Sequence, residues 1–210
     1  MTIFRPNQTA PAWCELRDFE MLDLADGQAV EQQRKHPAER LIVTSGTTQV
    51  MLPGRSVVLK ERQFLDIGDA DRWTLIGRSS PARLARLSGR WGADLGGCGI
   101  FTVENTEHPV NTGDPASHRK TTSVDVHFHD CDEYWIVLEG RGTAWISGNF
   151  FPLGPGDCLP IGMGHHHEFP TVEQGPVRAI FFETTLEGKQ RVGHLWAHTH
   201  GPAEPRPERI

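Results

Sequence analysis

The chain has 210 residues, room for one large or two small domains, and an apolar content of 37% that suffices for a packed core. Its 21 basic and 27 acidic residues leave a net charge of −6, which offers no general attraction to nucleic-acid phosphates or anionic lipid. Apolar runs such as 179–182 fall far short of the ~20 residues needed to cross a bilayer, and proline and polar residues interrupt the N-terminus where an export signal would be continuously apolar, so the expectation is a cytoplasmic protein whose partner is a small molecule.

In chain order, residues 14–34 have irregular apolar spacing compatible with a short helix, a strand or a loop. Alternating stretches then predict strands at 41–44, 48–52, 56–59, 63–67, 73–76 and 82–87, with turns supplied from the 22 glycines and 15 prolines. A further strand at 99–103 precedes a polar stretch, 104–121, that reads as a long loop. Its His118, Arg119 and Lys120 read as solvated charges, with contact to an anionic substrate as the alternative. Strands follow at 122–129, 133–139, 142–147, 149–153, 158–161, 165–169 and 178–183. The last ten residues are proline-rich and polar, which predicts disorder. The pattern is all-β.

Two segments carry chemistry. The run VDVHFHDCDEYWIVLEG contains His127, His129, Glu133 and Gly140 in the pattern H-x-H-x3-E-x6-G. On an extended strand alternate side chains share a face, so both imidazoles point the same way and can meet one ion. In GPGDCLPIGMGH, Gly154, Pro160, Gly162 and His165 form G-x5-P-x-G-x2-H, a turn-rich approach that can bring a third imidazole to the same place. Three nitrogens and one carboxylate suit Fe(II), Mn, Ni, Co or Zn better than Mg or Ca. By parity, Trp135 and Val137 share the face of Glu133 and line a substrate pocket, as does Phe169. His167 shares the parity of His165 and is a candidate catalytic acid or base. The four cysteines, at 14, 98, 131 and 158, form no C-x-x-C pair and read as reduced thiols, Cys131 as a packing residue. His194, His198 and His200 lie close in sequence without a carboxylate at ligand spacing, so they read as packing residues rather than a second metal site.

The chain also repeats itself. Glu39, Ile42, Val43, Gly46, Gly54, Leu59, Ile67 and Gly68 recur 94 residues later as Glu133, Ile136, Val137, Gly140, Gly148, Leu153, Ile161 and Gly162, and Pro81 and Arg83 match Pro176 and Arg178 after a one-residue slip. The positions of His127, His129 and His165 hold Gln33, Lys35 and Asp71 in the first copy, leaving only Glu39. A lysine ammonium repels a cation, so the first half is expected to bind no metal and to serve as a structural partner.

Both histidine patterns resemble the two cupin motifs, with every expected ligand in place. The resemblance implies tandem double-stranded β-helix (jelly-roll) barrels: a degenerate cupin domain over 1–94 and a metal-binding one over 95–210. It implies one divalent transition metal on His127, His129, Glu133 and His165, with Fe(II) favoured, and a homodimer is expected. The resemblance fixes no particular reaction; the ligand set permits, and the expectation favours, a dioxygenase-like oxidoreductase acting on a small enol, phenol or keto acid. A metal-dependent isomerase, lyase or decarboxylase, and a non-catalytic binding module, are the alternatives.

Overall fold

In β4 (Thr47–Leu52) and β7 (Arg72–Gly77) buried and less buried residues alternate, so Val50, Leu52, Trp73 and Leu75 enter a core while their neighbours face outward. That alternation builds the first of two compact units in a computed structural model that describes residues 2–210. The unit comprises Pro6–Ala10 and Glu15–Gly92. Its remaining strands are β1 (Leu16–Leu24), β2 (Ala29–Gln33), β3 (Ala38–Ser45), β5 (Arg55–Lys60), β6 (Phe64–Asp66) and β8 (Ala82–Gly89). They form two four-stranded sheets, β1-β8-β3-β6 and β2-β7-β4-β5, around a core containing Leu41, Val43, Leu59 and Leu84. The segment left open between helix, strand and loop is thus mainly strand, as β1 and β2.

Ala93–Ile210, with Pro11–Cys14 and a short stretch ending at Arg5, forms the second unit. It contains β9 (Cys98–Val103), β10 (Glu133–Ile146), β11 (Asn149–Leu153), β12 (Cys158–Ile161), β13 (His167–Glu183) and one helical turn, α1 (Ala197–His200). The strands expected separately at 133–139 and 142–147 are one, β10, and those at 165–169 and 178–183 are joined in β13. These two long strands pair antiparallel through several register shifts, which let them bend. β9, β13, β10 and β12 follow the order of β1, β8, β3 and β6, while β13, β10 and β11 follow β7, β4 and β5. The motif glycine Gly140 sits at a bend in β10 with φ of 77°, and a Cβ there would fall 2.2 Å from the carbonyl oxygen of Pro176. Its counterpart Gly46 has φ of 74° and the same conflict, at 2.1 Å, with Pro81.

Two expectations are corrected. The strand predicted at 122–129 is reduced to two isolated bridges, His127 with His167 and Phe128 with Leu195, because successive residues pair with different neighbours. The tail is not disordered. It runs past Gly162 and Gly164, where any Cβ would strike the carbonyl oxygens of Arg209 and Glu204, and Arg209 donates to Asp132 and Glu187 at 2.9 and 2.8 Å. Among the described residues no helix is long and apolar enough to cross a membrane.

Candidate metal centre

Two strand starts and one extended segment bring four side chains together. Glu133 opens β10 and His167 opens β13. His127 is held opposite His167 by two backbone hydrogen bonds of 3.2 and 2.8 Å, and His129 follows two residues later. One ligand-capable atom from each of His127, His129, Glu133 and His167 lies within 4.8 Å of the others, and all four residues are buried.

The imidazoles are fixed from behind. Nδ1 of His127 donates to the carbonyl of Asp125 (2.8 Å), Nδ1 of His129 to that of Gly193 (3.0 Å) and Nδ1 of His167 to that of His165 (2.8 Å). A carbonyl only accepts, so in each neutral ring the proton resides on Nδ1 and the Nε2 lone pair is free to bind a metal. Glu133 Oε1 accepts the Trp135 indole N–H at 2.8 Å, leaving Oε2 2.9 Å from His167 Nε2. His129 Nε2 is buried without a hydrogen-bond partner, with the same oxygen 3.4 Å away. Nitrogens converging beside a carboxylate in a buried space make a setting that can hold a cation. The donor set of three imidazoles and one carboxylate fits a divalent transition ion.

Electrostatics divide the three rings: against burial, the charge and hydrogen bonding of Glu133 raise His129. Burial and the neighbouring imidazoles of His167 and His129 push His127 well below its ordinary value, which keeps it neutral. Burial alone would raise Glu133, but the charge and hydrogen bonding of His129 and His167 outweigh it and hold the carboxyl well below its usual range.

His165, expected as the fourth ligand, is turned away. Its Nε2 donates to the carbonyl of Arg206 in the tail at 3.0 Å, and its Nδ1 accepts from Ser147 Oγ at 3.1 Å. His167, expected as a catalytic acid or base, holds the fourth position instead. The ladder registers show why. Gln33 pairs with Arg72 where His127 pairs with His167, so the one-residue slip seen at Pro81 and Pro176 is already present here. The first-unit counterpart is therefore Arg72, not Asp71.

A cavity of about 240 Å3 reaches two of the four, His127 and Glu133, and is lined also by Phe101, Val124, Asp125, Trp135, Phe181, Glu183 and His194. Of the three residues expected on its wall, only Trp135 is there; Val137 and Phe169 lie in the core with Val103, Ile161 and Val177. The parity was right, but the cavity sits at one end of β10 and those two residues lie deeper. Sequence reasoning missed Asp125 and Glu183, and read His194 as a packing residue rather than a wall of the cavity. His194 stacks on His127, ring centroids 3.6 Å apart and planes 4° from parallel, and its Nδ1 lies 3.0 Å from Asp125. Trp196 Nε1 donates to the same carboxylate at 2.6 Å. Glu183 faces Glu133 across the β10–β13 ladder, and the backbone N–H of Gly97 donates to it at 2.6 Å. Pairing with the repeat would have exposed Glu183, as the counterpart of Ser88; the carboxylate that meets His194, Asp125, comes from far along the chain.

The remaining candidates are structural. His118 and Lys120, read as solvated, both lie 2.6 Å from the fully buried Glu168 and tie the long loop to β13. Asp114 receives Ala197 N–H (2.7 Å) and pairs with His198 (2.8 Å), and His200 Nδ1 accepts Trp196 N–H (2.9 Å), so the late histidines secure α1. No disulfide joins the four cysteines, and burial with nearby carboxylates, Glu183 foremost, pushes the Cys131 thiol far up.

A family model for the Cupin domain matches residues 117–183, a span that contains all four clustered residues. "Uncharacterized protein y4oW" of Sinorhizobium fredii is 47% identical over 212 residues, covering 100% of this chain and 97% of that protein. The fold resembles that of AerE from Microcystis aeruginosa (TM-score 0.53, 12% identity, 79% of this chain and 86% of that one). It also resembles Bacillus subtilis oxalate decarboxylase, described with Mn(II) centres (TM-score 0.52, 11% identity, 84% and 70%). With its motifs, its jelly-roll architecture and its full-length match to y4oW, the chain belongs to the cupin superfamily.

Proposed function

We propose that the second unit is a metal-dependent oxidoreductase of the dioxygenase type, in which His127, His129, Glu133 and His167 hold one Fe(II). The observation that carries this reading is the buried, partnerless Nε2 of His129, aimed with two other imidazoles and Glu133 at one point beside a cavity. Bound Fe(II) would supply Lewis acidity and electrons for reaction with dioxygen. The protein contributes the rest. Backbone carbonyls set the imidazole tautomers, Trp135 fixes Glu133, and the rings of Phe101, Trp135 and Phe181 make a water-poor wall against which a small substrate rests.

One observation favours a non-oxidative alternative, an isomerase, lyase or decarboxylase. Glu183 lines the cavity, and burial together with the charge of Glu133 raises its pKa, so it is suited to carry a proton to or from a substrate. Elemental analysis of protein purified without added metal, followed by dioxygen-uptake assays on a panel of enols, phenols and keto acids, separates the two. Iron with substrate-dependent uptake is expected. Manganese or zinc with no uptake would replace the first reading by the second.

A further inference from the structure

The charge of the cavity wall narrows the substrate further, on the reading that the second unit is a metal enzyme. We infer that the cavity takes an uncharged, flat, single-ring compound with one or two ring hydroxyls, a phenol or cyclic enol, and rejects dianionic substrates such as dicarboxylates.

Size comes first. An apolar cavity of ~150 Å3 takes up benzene, so about 240 Å3 leaves room for one ring with small substituents. Shape follows. Three rings from three adjacent strands, Phe101 on β9, Trp135 on β10 and Phe181 on β13, form one wall, with centroids 5.4 Å apart for Phe101 and Trp135 and 6.4 Å for Phe101 and Phe181. Such a surface favours stacked or edge contacts with a flat ring.

Charge decides the class. Among the described residues no lysine or arginine lines the cavity, whereas Asp125, Glu133 and Glu183 all do. Lys120, on the nearby loop, is spent on Glu168. Where β8 of the first unit presents Arg86, the matching position of β13 presents Phe181. A divalent ion bound by Glu133 can offset one anionic oxygen pair on a substrate. A second carboxylate would lose its water where no lysine or arginine receives it, a desolvation cost that no fixed cation of the wall repays. A neutral ring meets no such cost, and its hydroxyl hydrogen finds carboxylate acceptors.

The test uses two probes that share a ring and differ in charge, catechol and phthalate, titrated calorimetrically into metal-loaded and metal-stripped full-length protein. Catechol is expected to bind the loaded protein at least ten times more tightly than phthalate, and to keep its preference without metal because the aromatic wall remains. Val124→Lys, and Thr102→Lys at a more exposed point of the wall, are expected to shrink the ratio by strengthening phthalate. Phthalate binding as tightly as catechol, neither probe binding, or a ratio unmoved in both variants would overturn the inference. A protein that takes no metal yet prefers catechol would sink the metal-enzyme reading alone; one that loads metal and prefers phthalate would sink only the substrate class.

Discussion

Glu39 and Glu133 occupy the same place in the repeat and solve the same problem in opposite ways. Each is a carboxylate buried where its strand begins to enter a jelly roll, and a buried carboxylate needs positive charge. In the first unit the cation is covalently built in. Arg86 donates Nε–H to Glu39 Oε2 and Nη2–H to Oε1, both at 2.8 Å, while Ser88 Oγ (2.6 Å) and the backbone N–H groups of Lys35 (2.7 Å) and His36 (3.2 Å) complete the shell. In the second unit Phe181 and Glu183 stand where Arg86 and Ser88 stand in the first, and imidazoles replace Gln33, Lys35 and Arg72. Removing the guanidinium and supplying imidazole nitrogens turns a sealed ion pair into a site that can hold an exchangeable cation beside a cavity. Five exchanged side chains around one shared carboxylate thus separate a scaffold from a candidate reaction centre.

The sharpest way to break this comparison is to remove the built-in cation. Arg86→Met leaves Glu39 buried and unpaired, which is predicted to destabilise the first unit by about 3–5 kcal/mol. Denaturant unfolding of the full chain measures it, and adding Glu39→Gln should restore much of the loss. A change below about 1 kcal/mol would show that the ion pair is not what holds that carboxylate. The converse substitution, Phe181→Arg, gives the second unit the arrangement of the first. The guanidinium is expected to settle on Glu133, so metal content falls to near zero while the strand-type circular dichroism signal persists; undiminished metal content would mean that the two strand positions are not interchangeable.

A smaller but more selective effect separates His167 from His165. His167→Ala is predicted to weaken metal binding by more than the roughly 10–100-fold that losing an outer partner costs. His165→Ala should leave metal content intact and cost about 1 kcal/mol in contacts with Ser147 and the tail. The reverse outcome would restore His165 as the ligand.

That pair also marks how far the sequence can be read. His127, His129 and Glu133 were legible because two-residue periodicity and a fixed spacing put them on one face. The fold of the first unit was legible because Gly46 and Gly140 sit at the same bend, where no side chain fits. His165 and His167 share parity, so alternation could not choose between them, and an ungapped offset missed the extra residue in the preceding turn. What chooses is remote: the tail captures His165 through the carbonyl of Arg206, and His127 pairs with the backbone of His167. His194 and Asp125 escaped for the same reason, since their contact joins residues far apart in the chain and no local pattern announces it. Val137 and Phe169 show the complementary limit, in which a face is predictable but depth along it is not.

The two ionic centres differ lastly in what keeps them in place. The partners of Glu39 come from β8 and the turn before β3, whereas His129 leans on the carbonyl of Gly193, in a segment secured further along by Asp114. Hydrogen bonds from Ala197, His198 and His166 outweigh burial and lower the Asp114 carboxyl from 3.8 to about 2. A depressed folded-state value means that its contribution is complete above about pH 3.8 and disappears as the pH falls towards 2. In metal-free protein, hydrogen exchange at the amides of Ala197 and His198 should therefore quicken, relative to the core strands, across that interval. Asp114→Asn, which removes the charge at every pH, should exchange faster already at neutral pH and show no such acid step; an identical acid profile in the variant would mean that another group secures the segment over the centre.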